Sequence, residues 1–396
     1  MNWWHAYTAA AVVTAVFSAL LTWVCVKSAV RLGFVDTPLN EAHKRHRTPT
    51  PVMGGIAMCA AWLLALLAGL FCITFLHTAL GEEIAGYLPG LSAVSTRLLT
   101  ISAGTLAITI LGAVDDRVSM KAWQKFLGQF IVAGCVAAWG VRLTVFCTWA
   151  PFTWALTTLW IMTVINALNF LDNMDGLTAG TSAIAAFLFG FIAAFRAQYF
   201  VSVWAALTFG AACGFLVFNK PKASIFMGDA GSHFLGFNLA VLGAMTTFYS
   251  PSDSQTIAPL LIPLFVLGLP LFDAVAVVII RLRTGKPIYV GDNKQISHRF
   301  NNLGLTRPQS VLLVCLLSFT IGSGGIALLW LPVWGVILVG LQAMAILAVI
   351  SIIQFYVPSR AEEGTQDSED RSQNGEASKN NVPDKDMDAC SRTPDS

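Results

Sequence analysis

Eleven stretches of this chain are apolar almost throughout, and that pattern leaves few folds open. They run over residues 6–28, 54–77, 95–114, 124–141, 152–170, 177–195, 198–218, 231–248, 257–280, 310–331 and 333–356. A helix of roughly 20 residues matches the hydrocarbon thickness of a bilayer. The runs are continuous rather than alternating, so helices and not barrel strands satisfy the backbone inside lipid. The expectation is an all-α polytopic membrane protein with about 11 transmembrane helices. Composition agrees: 12% of residues are charged and 56% hydrophobic, where a soluble domain has roughly 25% charged. With a mean hydropathy of +0.67, a soluble enzyme, a nucleic-acid-binding protein and a disordered scaffold are all excluded.

Basic residues set the expected orientation. Nothing basic precedes the first stretch, whereas Lys27 and Arg31 follow it, so it reads as an anchor rather than a cleaved leader. Its C-terminal end then faces the cytoplasm and the N-terminus lies outside. Alternation places only Arg97, Arg142 and Arg196 on the outer side before residue 357, with the other sixteen basic residues toward the cytoplasm. The net charge of +2 conceals a split. Residues 357–396 hold ten acidic and five basic residues, leaving 19 basic and 12 acidic before them, a net +7. The expected domains are a membrane domain over 1–356 and a disordered acidic cytoplasmic tail over 357–396. The eight cysteines form no CxxC pair, which argues against zinc or redox chemistry.

Carboxylates are costly near a membrane, so their placement carries information. Asp115, Asp116, Asp172, Asp175, Asp229, Asp273 and Asp292 all fall at or near expected cytoplasmic ends, whereas the outer loops hold only Glu82, Glu83 and Asp253. A transporter would place ionisable groups near the midplane. A ring of carboxylates at one surface better fits a metal-dependent site for an anionic, water-soluble substrate.

Five segments carry that chemistry. Asp36 to Gly55 joins a basic cluster, including Lys44 and His46, to Pro and Gly residues; it suits phosphate contacts or a positive-inside anchor. Asp115-Asp116 repel each other unless a cation offsets them, so they read as a metal or acid/base pair, or as a solvated helix end. Lys121 and Lys125 follow, one turn apart, as holders of a lipid phosphate or as snorkelling anchors. Asn166, Asn169 and Asp172 recur every third residue, line one helix face and lead to Asp175. Phe226 to Ser232 puts Asp229 beside a glycine-rich helix start suited to Mg²⁺ bound with phosphate, and Phe226 could stack on a base. His298 and Arg299 could contact diphosphate oxygens, or His298 is an ordinary surface histidine.

Taken together over about residues 30–310, these segments resemble the polyprenyl-phosphate N-acetylhexosamine-1-phosphate transferases, a glycosyltransferase family 4 group with WecA-like and MraY-like branches. Asp36, Pro38, Lys44, His46, Pro49, Pro51, Gly54 and Gly55 match its first segment, and Asp115-Asp116 its paired aspartates. Asn166 to Leu177 is similar to N-x-x-N-x-x-D-G-x-D-G-L, Phe226 to Ser232 to F-M-G-D-x-G-S, and Gln295 to Arg299 to H-x-x-H-R. Asn173 stands in place of a Gly and Gln295 in place of a His, and Ser297 lacks the imidazole of a full histidine triplet. The missing triplet points to the WecA-like branch.

The resemblance implies transfer of an N-acetylhexosamine 1-phosphate, GlcNAc foremost, from a UDP-sugar to undecaprenyl phosphate at the cytoplasmic face of a bacterial inner membrane. It implies Mg²⁺, with Mn²⁺ as the alternative, on Asp229 and Asn169. It implies catalytic roles for Asp115, Asp116, Asp172, Asp175 and His298. Lys44, His46, Lys121, Lys125, Asn166, Phe226 and Arg299 are the implied substrate contacts. The implied partners are the UDP-sugar, the lipid acceptor and membrane lipid, with no nucleic acid; a homodimer is compatible. The competing readings are an MraY-type phospho-MurNAc-pentapeptide transferase, a flippase for a lipid-linked sugar, and an inactive relative that only binds.

Overall fold

Helix boundaries fall where the sequence supplies stop and start chemistry. Pro151 and Pro308 occupy first turns, where a missing N–H leaves no gap in the ladder. In this computed structural model, the described residues are 3–36, 50–75, 88–143, 149–246, 248, 256–285 and 295–356. They form α1 (Trp3–Leu32), β1 (Val35–Asp36), β2 (Thr50–Pro51), α2 (Gly54–Phe75), α3 (Leu88–Val118), α4 (Ala122–Ala138) and α5 (Ala150–Leu171). Next come α6 (Leu177–Phe195), α7 (Tyr199–Asn219), α8 (Gly228–Met245), a 3-10 turn (Ala258–Leu261), α9 (Ile262–Val266) and α10 (Gly268–Arg283). The last helices are α11 (Ile296–Asn302), α12 (Arg307–Ala327) and α13 (Val333–Tyr356). The two strands make one short antiparallel pairing, Val35 with Pro51 and Asp36 with Thr50.

Not all eleven apolar stretches form helices that pass as membrane spans. Among the described residues, α1, α2, α3, α5, α6, α7, α12 and α13 are the eight helices long and apolar enough to span a bilayer. A ninth crossing arises if the 3-10 turn with α9 is joined to α10, two pieces bent by 69°. Pro263 and Pro270 break the run of N–H donors there. The stretches 124–141 and 231–248 are helical but fall short: α4 has 17 residues, and α8 carries Asp229, Ser232, His233 and Asn238.

The reason lies in packing. Helix α8 is the centre of the bundle, in contact with α2, α3, α5, α6 and α7, and every residue from Ala230 to Gly243 is buried. Protein neighbours rather than lipid satisfy its polar groups. Asn238 Oδ1 accepts from Trp204 Nε1 at 2.8 Å, and its amide donates to the Phe234 carbonyl at 2.8 Å. Around it Trp62, Phe189, Phe215, Phe234 and Phe237 are fully buried. By contrast α13 exposes Trp334, Leu338, Leu341 and Met344, as a helix facing hydrocarbon does.

Two glycines let the first turn of α8 be gripped at backbone distance. A methyl group on Gly112 of α3 would lie 2.5 Å from the Asp229 carbonyl oxygen. One on Gly55 of α2 would overlap the Gly231 backbone nitrogen. Gly55 N donates to the Met227 carbonyl at 3.0 Å, and Gly54 N to that of Phe226 at 3.1 Å.

Candidate active site

Asp229, in the first turn of α8, gathers the polar groups of three other helices. Lys125 of α4 donates to Asp229 Oδ2 at 2.5 Å, and the same ammonium lies 2.9 Å from Asp115 Oδ2 at the end of α3. Asn169 of α5 donates from Nδ2 to Asp229 Oδ1 at 2.5 Å and to Ser232 Oγ at 2.9 Å. The ends of α3, α5 and α7 and the starts of α4, α6 and α8 thus meet at one end of the bundle.

The paired aspartates have separate tasks in this arrangement. Asp116 turns both oxygens to the start of α8, accepting from the Asp229 amide at 2.7 Å and the Ala230 amide at 3.0 Å. It caps, from another helix, donors that α8 itself leaves open. Asp115 accepts from Met120 N at 2.7 Å with Oδ1, which fixes the α3–α4 turn, and presents Oδ2 to Lys125. The two lysines separate as well. Lys125 is turned into the carboxylates, whereas Lys121, one turn earlier, is exposed.

The loop after α5 is tied to the loop before α8. Asp175 Oδ2 accepts from Lys222 N at 3.2 Å and Ala223 N at 3.1 Å. Asn219 Oδ1 accepts from Gly176 N, and its amide donates to the Ile225 carbonyl, both at 2.9 Å. Asp172 directly follows the last residue of α5 and opens the first of these loops. Burial, reinforced by the charge of Asp229, pushes its carboxyl up to about 8. Phe226 is half-buried, and its amide donates to the Pro51 carbonyl at 2.8 Å, joining the site to the end of the first loop. Arg299 is buried in α11. Asn166 donates its amide to Gln129 Oε1 at 2.7 Å and to the Met162 carbonyl at 2.8 Å. Lys44 and His46 lie outside the described residues, as do Asp292, the tail 357–396 and the side chain of His298.

Three residues at this site were not singled out from sequence. Gln129 and His233 are fully buried and bonded to each other, ring Nε2 to amide Nε2 at 2.9 Å, and Asn219 bridges the two loops. Their signal was available: a Gln one turn beyond Lys125, a His one turn beyond Asp229, and an Asn closing an otherwise apolar helix.

The donor set also bears on a divalent cation. Among the described residues, no three His, Cys, Asp or Glu side chains form a cage for a metal. Instead Asp115 and Asp229 face a single point, at which the Lys125 ammonium sits. Mg²⁺ commonly takes one or two carboxylates and completes its shell with water and substrate phosphate. Asp115 and Asp229 supply carboxylates of the kind such an ion takes, around the point that the Lys125 ammonium fills, and Asn169 adds an amide group against the same Asp229.

Comparison with known proteins identifies relatives of the chain. The model of "Glycosyl transferase family 4" matches residues 98–247, the span from α3 to the end of α8. The chain is 30% identical over 325 residues to the "Probable undecaprenyl-phosphate N-acetylglucosaminyl 1-phosphate transferase" of Bacillus subtilis (strain 168), covering 80% of this chain and 83% of that protein. It is 28% identical over 323 residues to the "Undecaprenyl-phosphate alpha-N-acetylglucosaminyl 1-phosphate transferase" of Escherichia coli (strain K12), covering 78% and 80%. It is 30% identical over 324 residues to the "Decaprenyl-phosphate N-acetylglucosaminephosphotransferase" of Mycobacterium tuberculosis (strain ATCC 25618 / H37Rv), covering 73% and 74%.

Proposed function

Because the chain belongs to glycosyl transferase family 4, we propose that it transfers N-acetylglucosamine 1-phosphate from UDP-N-acetylglucosamine to undecaprenyl phosphate. The chain is an integral membrane transferase. The observation that supports this reaction best is the convergence of Asp115, Lys125, Asn169 and Asp229 at one end of a bundle of apolar helices. There an amphiphilic phosphate and a soluble diphosphate can meet. The basic residues of the sequence favour the cytoplasmic side of a bacterial inner membrane for that end.

In the proposed step, an oxygen of the lipid phosphate attacks the β-phosphorus of the UDP-sugar. The bond from that phosphorus to the oxygen bridging the two phosphates breaks, and the oxygen leaves with UMP. The product is a lipid diphosphate bearing the sugar. Little covalent work falls to the protein; positioning and charge stabilisation dominate such transfers. Asp115 orients the acceptor phosphate or takes its proton, with Lys125 setting the carboxylate's aim. Asp116 holds the start of α8. Asp229 and Asn169 would hold Mg²⁺, or Mn²⁺ in its place, and the ion would supply neutralisation of diphosphate charge. Asp172 and Asp175 set the loops beside it. Lys44, His46, His298 and Arg299 meet phosphate oxygens, Lys121 faces the lipid headgroup, Asn166 supports the same face, and Phe226 stacks on uracil.

The decisive assay supplies purified, monodisperse protein with undecaprenyl phosphate, Mg²⁺ and a panel of UDP-sugars. Release of UMP with UDP-N-acetylglucosamine, and loss of release in Asp229→Asn, is the expected result. No UMP from any member of the panel would overturn the reading.

A further inference from the structure

We propose that His233 is a positioning residue that fixes the aim of Asp229 through a hydrogen-bond chain of fixed polarity. The chain starts at the Met162 carbonyl, which can only accept. It therefore takes a proton from Asn166 Nδ2, 2.8 Å away. The same amide nitrogen donates to Gln129 Oε1 at 2.7 Å. That leaves Gln129 Nε2 as the donor toward His233 Nε2 at 2.9 Å, so this ring nitrogen carries no proton. The proton of the neutral ring is on Nδ1, and it donates to the Asp229 carbonyl at 2.5 Å. Each group in the chain has one orientation that satisfies all of them.

The far end of that chain is the residue that matters. A first helical turn frays because its amides lack partners within the helix. In α8 it is pinned on both sides. Asp116 takes the amides of Asp229 and Ala230, and His233 donates to the carbonyl of Asp229 from inside the bundle at 2.5 Å, closer than Ser232 Oγ, which donates to the same oxygen at 3.3 Å. The clamp sets where the backbone of Asp229 lies, and from there its two oxygens reach Lys125 and Asn169, which donate to them at 2.5 Å each. His233 and Gln129 are both fully buried, so water does not replace either partner. His233 touches neither carboxylate oxygen nor Lys125 in this arrangement; it acts through the Asp229 backbone.

The two ring nitrogens can be tested separately, since an Asn amide reaches the position of Nδ1 and a Gln amide that of Nε2. His233→Asn keeps a donor for the Asp229 carbonyl; His233→Gln keeps only the Gln129 side; His233→Phe keeps ring volume alone. The inference rests on the proposed transferase reading for its kinetic arm. There, kcat for UMP release should fall at least tenfold in His233→Phe and His233→Gln, with KM for UDP-N-acetylglucosamine within about twofold. His233→Asn should retain at least a third of wild-type kcat. A second arm needs no turnover: amide hydrogen exchange of a peptide spanning 226–234 should quicken in His233→Phe and stay near wild type in His233→Asn. If the wild type releases no UMP, the exchange arm still decides the clamp. Equal exchange in all variants, or an Asn variant as impaired as the Phe variant with both still monodisperse, would overturn it. Should His233→Phe fail to fold, Gln129→Leu frees Nε2 without touching α8 and should show the same slowed kcat and quickened exchange in milder form.

Discussion

Ser297 Oγ and Asn173 Oδ1, 124 positions apart in sequence, share a 2.5 Å hydrogen bond. Both residues stand where the chain departs from the polyprenyl-phosphate transferase pattern, a Gly in one case and an imidazole in the other. The departures therefore meet. A glycine would offer no side-chain acceptor, and the Asn supplies one for the hydroxyl. The bond ties the loop of Asp172 and Asp175 to α11, whose first amide is held by Asp273 Oδ1 at 3.0 Å.

Removing either partner should therefore cost about the same. Asn173→Ala and Ser297→Ala should each lower stability by about 1 kcal/mol, the usual net value of such a bond. The double variant should lose little more than the worse single one. Melting of the detergent-solubilised protein measures this; strict additivity would mean that the two residues act independently.

Gly112→Ala should disrupt the site without changing any polar side chain in it. Its methyl group would press on the Asp229 carbonyl oxygen and the Ala230 backbone, which cannot swing away as a side chain would. Overpacking of this kind costs about 1–3 kcal/mol. A lower melting temperature and at least tenfold slower UMP release are expected, whereas Gly69→Ala in α2, where an added methyl group meets nothing within 4 Å, serves as the tolerated control.

Lys125→Met should leave Asp115 and Asp229 facing each other with no cation between them. Removing one partner of a poorly solvated charge pair strands the other. Both the melting temperature and turnover should fall, the latter at least tenfold. Adding Asp115→Asn to Lys125→Met should recover part of the melting temperature and none of the turnover. Lack of any thermal recovery would show that like-charge repulsion is not the cause.

Asp172 gives the pH dependence its sign. Its carboxyl is raised from 3.8 to about 8, by burial first and then by the Asp229 charge. Between those values the folded chain holds a proton that the unfolded chain has released, so stability falls as pH rises through the window and levels off above it. Asp172→Asn, which stays neutral, should flatten the loss of melting temperature between about pH 5 and 8. The measurement belongs in a chelating buffer, and an unchanged slope would assign the dependence to another group.

The residues that met at the site were largely readable in the chain, because acidic and amide groups are rare in apolar helices and each must be answered. Asp115, Lys125, Asn169 and Asp229 come from four helices and were named from their placement alone. Their division of labour was not legible. That Asp116 caps α8 while Asp115 faces Lys125 depends on which way each oxygen points, and adjacent residues in a sequence carry no such information. The same limit hid Gln129 and His233, which look like isolated polar residues until the helices are packed. Among the described residues eight helices, or nine with the bent pair, are long and apolar enough to cross, fewer than the eleven apolar stretches, for a related reason. Hydropathy assumes lipid as the surroundings, but α8 is surrounded by protein, and α9 and α10 break within one apolar stretch.

The central position of α8 also bears on how the chain is assembled. Its main neighbours, α2, α3, α5, α6 and α7, and α4, which bonds to it through Lys125 and Gln129, precede it in the chain, so each is already synthesised when α8 emerges from the ribosome. A segment carrying Asp229, His233 and Asn238 gains little from entering lipid alone, since a single Asp at a helix centre costs about 2.5–3.5 kcal/mol on insertion scales. Its partners provide the amides, indole and carbonyls that lipid lacks. The order of synthesis thus delivers this polar helix after the partners that answer its polar groups, so its first turn, with Asp229, meets a socket already built.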